Sequence, residues 1–165
     1  MRCMAPAFGT LSAMTPALWI TVGIVFVVVL CIAFPILALV YVSKTLRARG
    51  AAEIAERFPA ADVLLSDTFV QSYGQTSRGV TQARGNGVLA LTKDELFFML
   101  YVPQRELRIP LSSITGITTP RHHLGKTGGA KLLHVAFTTP AGEDAIAWRL
   151  VDLEGWIARI ESLRG

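Results

Sequence analysis

The sequence predicts one transmembrane α-helix followed by a mainly β domain that ends in an amphipathic helix. Three patterns lead there. Residues 17–42 form an unbroken run without a charged side chain. Beyond Pro59 the spacing of apolar residues changes from the helical period of 3.6 to the strand period of 2. After Asp152, the residues Leu153, Trp156, Ile157, Ile160 and Leu163 recur at helical spacing on one face.

The run from Ala17 to Val42 is 26 residues long. At about 1.5 Å per residue it reaches about 39 Å, more than the ~30 Å hydrocarbon core, so a tilted or slightly overhanging span is expected. Seventeen of its residues are Leu, Ile, Val or Phe, which together favour insertion by up to about 7 kcal/mol. Trp19 and Tyr41 fall near its two ends, where interfacial aromatics belong. Pro35 removes one backbone hydrogen bond and predicts a kink near Cys31. Gly23 has no small partner four residues away, so a small-residue dimer face is not expected. The absence of ionisable groups in the run argues against a channel, a proton relay or a transport site.

Residues 1–16 are expected to be a disordered tail, and Met14 is an alternative translation start. The run is too long for the apolar region of a cleavable signal peptide. Val28, Val29 and Leu30 before Cys31 are too large for lipoprotein processing. Lys44, Arg47 and Arg49 follow the run, against Arg2 before it. That bias predicts a single pass with the N-terminus outside and the C-terminal domain in the cytoplasm, at the plasma membrane. Residues 43–60 read as a juxtamembrane linker with a short helix over Ala51–Phe58, loosened by Gly50 and ended by Pro59.

The chain carries a formal net charge of +4, but the excess lies beside the membrane run. Residues 50–165 hold all 12 acidic side chains, balanced there by 12 basic ones. A neutral domain gives no footprint for nucleic acid, and no nucleic-acid partner is expected. Within 61–165, strands are expected at about 69–73, 80–84, 87–91, 96–102, 106–111, 114–120, 132–138 and 145–150. Turn material such as Asn86-Gly87, Pro103-Gln104 and Pro140-Ala141-Gly142 separates them. Short strands without intervening helices mean antiparallel hairpins, hence a sandwich or a barrel. Asp152 is the expected N-cap of the closing helix, with Glu154 in its first turn and Arg159 and Arg164 toward its end.

The run Gly87-Val-Leu-Ala-Leu-Thr92, then Leu96-Phe97-Phe98, Ile109-Pro110-Leu111-Ser-Ser-Ile114, Leu132–Val135, Gly142, Trp148 and finally Trp156 resembles the bacterial PH-like and GRAM-like domains. The resemblance covers roughly Asp62 to Leu163. It implies an antiparallel PH-like barrel capped at one open end by the C-terminal helix. The superfold hosts lipid binders, peptide binders and scaffolds alike. Lipid-binding members hold their phosphate contacts around the first strand pair, where this chain offers Arg78 and Arg84 alone.

The densest basic stretch is instead Arg121–Lys131, which carries Arg121, His122, His123, Lys126 and Lys131 among glycines. These five are the candidate anion or lipid-headgroup contacts, as cations and turn amides gather readily around an anion. Gly125-Lys126-Thr127 is not a P-loop, because the first glycine of that motif would fall on Pro120 and no helix follows. His122 and His123 point opposite ways in an extended chain, His134 stands apart, and a metal site is not expected. Ser112 and Ser113 have no histidine at motif spacing and fit a turn. No catalytic residue and no cofactor are expected. The reading is therefore a non-enzymatic interaction or scaffold module at the cytoplasmic face of the membrane, with the bilayer and a membrane or cytoplasmic protein as partners. Anion or lipid-headgroup binding through Arg121–Lys131 is the alternative, and an enzyme whose site is assembled from distant residues is a third.

Overall fold

The computed structural model describes residues 16–127 and 129–164; of the expected tail only Pro16 is described, as the first residue of a helix, and Met14 as a start and Cys3 lie outside the described residues. The chain divides into two units, Met1–Tyr41 and Val42–Gly165. In the first, the described residues are helical. They belong to α1, Pro16–Arg57, which carries Pro35 internally and is long and apolar enough to cross a membrane. Every Leu, Ile, Val and Phe between Leu18 and Val42 is exposed, from 43% at Leu18 to 75% at Phe34.

The second unit holds the last turns of α1 and the strands β1 (Leu65–Gln75), β2 (Gly85–Leu91), β3 (Glu95–Leu100), β4 (Arg105–Pro110) and β5 (Ile114–Thr118). A two-residue pair follows, β6 (His122–His123) and β7 (Lys126–Thr127), then β8 (Leu133–Thr139), β9 (Gly142–Arg149) and α2 (Leu153–Arg164). Seven strands form one antiparallel sheet in the order β4-β3-β2-β1-β9-β8-β5, and β6 and β7 form a separate hairpin. The outer strands β4 and β5 are not paired with each other, so the expected barrel is not closed by hydrogen bonds. Apolar packing joins the two halves of the sheet instead. Leu89, Leu91, Leu96, Phe98 and Ile109 from one half share a core with Val135, Phe137, Ile146 and Trp148 from the other, together with Trp156 and Ile160 of α2. Phe98 and Trp148 meet edge to face at 5.5 Å. Asp152 caps α2 by accepting the Gly155 N–H at 3.0 Å.

β2 and β3 are buried on both faces, which explains why Val88–Leu91 and Leu96–Met99 lack the polar alternation of a half-exposed strand. Their inward residues enter the main core. Val88, Ala90, Phe97 and Met99 on the opposite face pack against Ile54 and Phe58. The segment expected to be a loosened linker is thus the end of the continuous helix α1, docked on the outside of the sheet. Gly50 closes that contact rather than loosening it. A Cβ there would collide with the Tyr101 hydroxyl and stand 3.2 Å from the Thr68 carbonyl oxygen. Tyr101 Oη donates to that same carbonyl. Arg47 lies 5.5 Å from the Phe69 ring centre, and Arg57 and Arg108 lie 5.9 and 5.3 Å from that of Phe97.

The strand expected at 80–84 is absent. After β1 the chain makes a 3-10 turn over Thr76–Arg78 and folds back on itself. The Gln82 amide donates to the carbonyls of Gln75 and Gly79 at 2.7 and 2.8 Å. Val80 stays 65% exposed and has no apolar surface to line. Alternation over five residues carried no information about a side chain that bonds its own loop.

Candidate functional site

The basic stretch Arg121–Lys131 contains a short hairpin. His122 pairs with Thr127 and His123 with Lys126. Between them, Leu124 and Gly125 both have positive φ, 48° and 73°, the combination a tight two-residue turn demands. Strand alternation leaves His122 exposed and His123 buried.

The hairpin is held against the end of β1 by its own candidate residues. His123 Nε2 is 3.0 Å from the Gly74 carbonyl oxygen, and Lys126 Nζ donates to the Tyr73 carbonyl at 3.1 Å. The Leu124 side chain would be 3.2 Å from a Cβ at Gly74, so the glycine makes room for the hairpin tip. From the loop after β1, Arg84 donates to the Thr127 carbonyl at 2.7 Å while its guanidinium lies 4.8 Å from the Tyr73 ring centre. His123 also meets His134 of β8 edge to face at 5.1 Å, and His134 Nδ1 is 3.1 Å from Thr118 Oγ1. Burial pushes the His123 pKa below that of a free imidazole, and His134 and Lys126 nearby push it the same way. Burial also lowers the His134 pKa. Because Nε2 faces a carbonyl, a neutral His123 carries its proton there and leaves Nδ1 bare.

The five candidates therefore divide. Lys126 and His123 are committed to β1, and Arg121, His122 and Lys131 remain exposed. The partners that complete the hairpin, Tyr73, Gly74, Arg84 and His134, lie 11 to 53 residues away in sequence. No local motif marks them.

A second polar cluster secures the loop after β1. Burial alone pushes the Asp144 carboxyl up, but hydrogen bonds from the Gln75 amide, the Ser77 hydroxyl and the N–H groups of Ser77 and Ala145 outweigh it and hold the pKa below the ordinary value. Each of those bonds stabilises the anion, which makes this a pinned carboxylate and not a proton donor. Among the described residues, no group of three or more His, Cys, Asp or Glu side chains is placed to hold a metal ion.

The chain matches no protein-family model and no curated protein. Among solved structures it is similar to the crystal structure of the C-terminal domain of an unknown protein from Leishmania infantum. The identity is 16%, the similarity covers 64% of this chain and 86% of that chain, and the TM-score is 0.46, a likeness that specifies neither family nor function.

Proposed function

We propose that this chain is a membrane-anchored, non-enzymatic interaction module: a PH-like domain held by one span, with the N-terminus outside and the domain at the cytoplasmic face of the plasma membrane. The observation that carries the reading is the exposure of every large aliphatic and Phe side chain from Leu18 to Val42 along one helix. Water is a poor solvent for such a surface, and a bilayer is the environment that fits its length. Lys44, Arg47 and Arg49 supply the charge bias for orientation. A single antiparallel sheet whose core is completed by a C-terminal helix bearing Trp156 is in keeping with the PH-like resemblance.

The partner surface in this reading is the edge of β5. Edge strand β4 carries Arg105, Glu106, Arg108 and Pro110, which discourage strand addition, whereas Ile114–Thr118 carries no charge. An added strand from a protein partner would pair with the backbone there beyond Ile114, whose carbonyl already accepts from Arg164 at 2.7 Å. The competing reading, anion binding near the hairpin, draws on the exposure of Arg121, His122 and Lys131 and loses the two residues committed to β1.

Three measurements test the proposal. The full chain should stay with membranes through an alkaline carbonate wash, and a reporter active only outside the cytoplasm, fused after Gly165, should be silent. A photo-crosslinking residue at Thr115 should capture a partner protein in membranes while one at Arg105 does not. An active reporter reverses the orientation, and equal capture at both positions removes β5 as the docking edge.

A further inference from the structure

Within the unit Val42–Gly165, β3 and the last turns of α1 run side by side. Phe58 lines a cleft with Lys93 and Asp94, at the start of β3. Ile54 packs on Phe97 and Met99, in its middle. Leu46, Arg49 and Glu53 line a cleft of about 110 Å³ with Met99, Tyr101, Val102 and Gln104, at its end. The turn between β3 and β4 therefore sits beside the helical turn Leu46–Arg49. That position is four to seven residues past Val42, the last residue of the uncharged run, or about 6–10 Å along a helix. The headgroup layer outside the hydrocarbon is roughly 5–8 Å thick on each side.

The residues at that level suit such a layer. Val102 is 79% exposed at the tip of the turn, an apolar side chain with no protein surface to cover it. Lys44, Arg47 and Arg49 are exposed on the adjoining helix, and the acidic residues of α1, Glu53 and Glu56, come only after them. Arg47 is steadied over Phe69. Burial, with Asp67 adding to it, pushes the Tyr101 hydroxyl up to about 12, and the carboxylate that lines the cleft, Glu53, is paired with Arg57.

We infer that the β3–β4 turn is a lipid-contact surface: Val102 enters the headgroup region of an anionic leaflet while Lys44 and Arg49 bind its phosphates, which holds the domain against its own membrane. This contact is separate from the Arg121–Lys131 hairpin, and it rests on the reading of residues 17–42 as a span. The occupant follows from charge complementarity and from the distance along the helix.

The test uses the full chain with Cys3→Ser and Cys31→Ser, reconstituted in vesicles of mixed neutral and anionic phospholipid that carry a nitroxide on the headgroup. An environment-sensitive fluorophore is attached at Val102→Cys or, as control, at Lys93→Cys. Lys93 is exposed and lies beside Phe58, 12 residues or about 18 Å farther along α1 than Leu46. The fluorophore at 102 should be blue-shifted and quenched several-fold more than that at 93. Changing Lys44 and Arg49 to Gln should reduce its quenching by roughly half in anionic vesicles, as each cation near such a surface contributes measurably to binding. Equal quenching at 102 and 93, with the chain still in the vesicles after an alkaline wash, overturns the inference and leaves the span intact. Loss of the chain in that wash overturns the span and the inference with it.

Discussion

His123 is the residue whose chemistry the fold alters most. It is buried against a backbone carbonyl, beside His134 and Lys126, and its pKa is lowered, as is that of His134. A base with a folded pKa below its unfolded value binds fewer protons when folded, so stability rises with pH across the interval between the two. The contribution is complete above about pH 6.5, the unfolded imidazole value, and is lost as pH falls through the folded pKa values. Asp144 faces His123 from β9 and offsets part of the effect; Arg84 is held at Thr127 of the hairpin. The full chain in detergent should show a lower melting temperature at pH 5 than at pH 7.5, and His123→Leu should flatten that dependence. An unchanged slope in the variant would place the titrating group elsewhere. Protonation of His123 is thus opposed by the fold.

Two helical segments clamp the sheet from opposite faces. Trp156 is 5% exposed among the main core residues, and Trp156→Ala should cost about 3–5 kcal/mol, a large share of a small domain's stability. An unchanged melting temperature would show that α2 does not close the core. On the other face, Ile54 is 7% exposed, and Ile54→Ala should cost about 2–4 kcal/mol. Gly50→Ala should cost less, because the displaced group is the mobile end of Tyr101, though its bond to the Thr68 carbonyl is lost. The two outer-face substitutions should leave helix content nearly constant by circular dichroism while lowering the melting temperature. A large loss of helix in Gly50→Ala would contradict packing as the cause.

For the molecule as a whole, the proposed orientation rests on very few charges. Three basic residues follow the run and one precedes it, a bias strong enough to orient a single span and small enough to reverse. Replacing Lys44, Arg47 and Arg49 with Gln and adding three Lys before residue 17 should turn the reporter after Gly165 from silent to active. A reporter that stays silent would assign orientation to the translocation behaviour of the domain instead. Because Arg47 also packs on Phe69, a melting curve of the variant should accompany the reporter.

Residue order alone was sufficient for features that depend on near neighbours. The uncharged run, the strands from β2 to β5 and the last two, the cap at Asp152 and the apolar face of α2 all follow from local periodicity and side-chain chemistry. Folding in three dimensions set everything that depends on register between distant segments. Gly50 reads as a weak point in a helix until Thr68 and Tyr101 arrive above it. Gln82 reads as a strand residue until its amide meets Gln75 and Gly79. The basic loop reads as five equivalent candidate anion contacts until Tyr73 and Gly74, 53 and 49 residues away, take Lys126 and His123 as partners. The physical reason is that a side chain's protonation and availability depend on what surrounds it in space, and a chain position specifies only what surrounds it along the backbone.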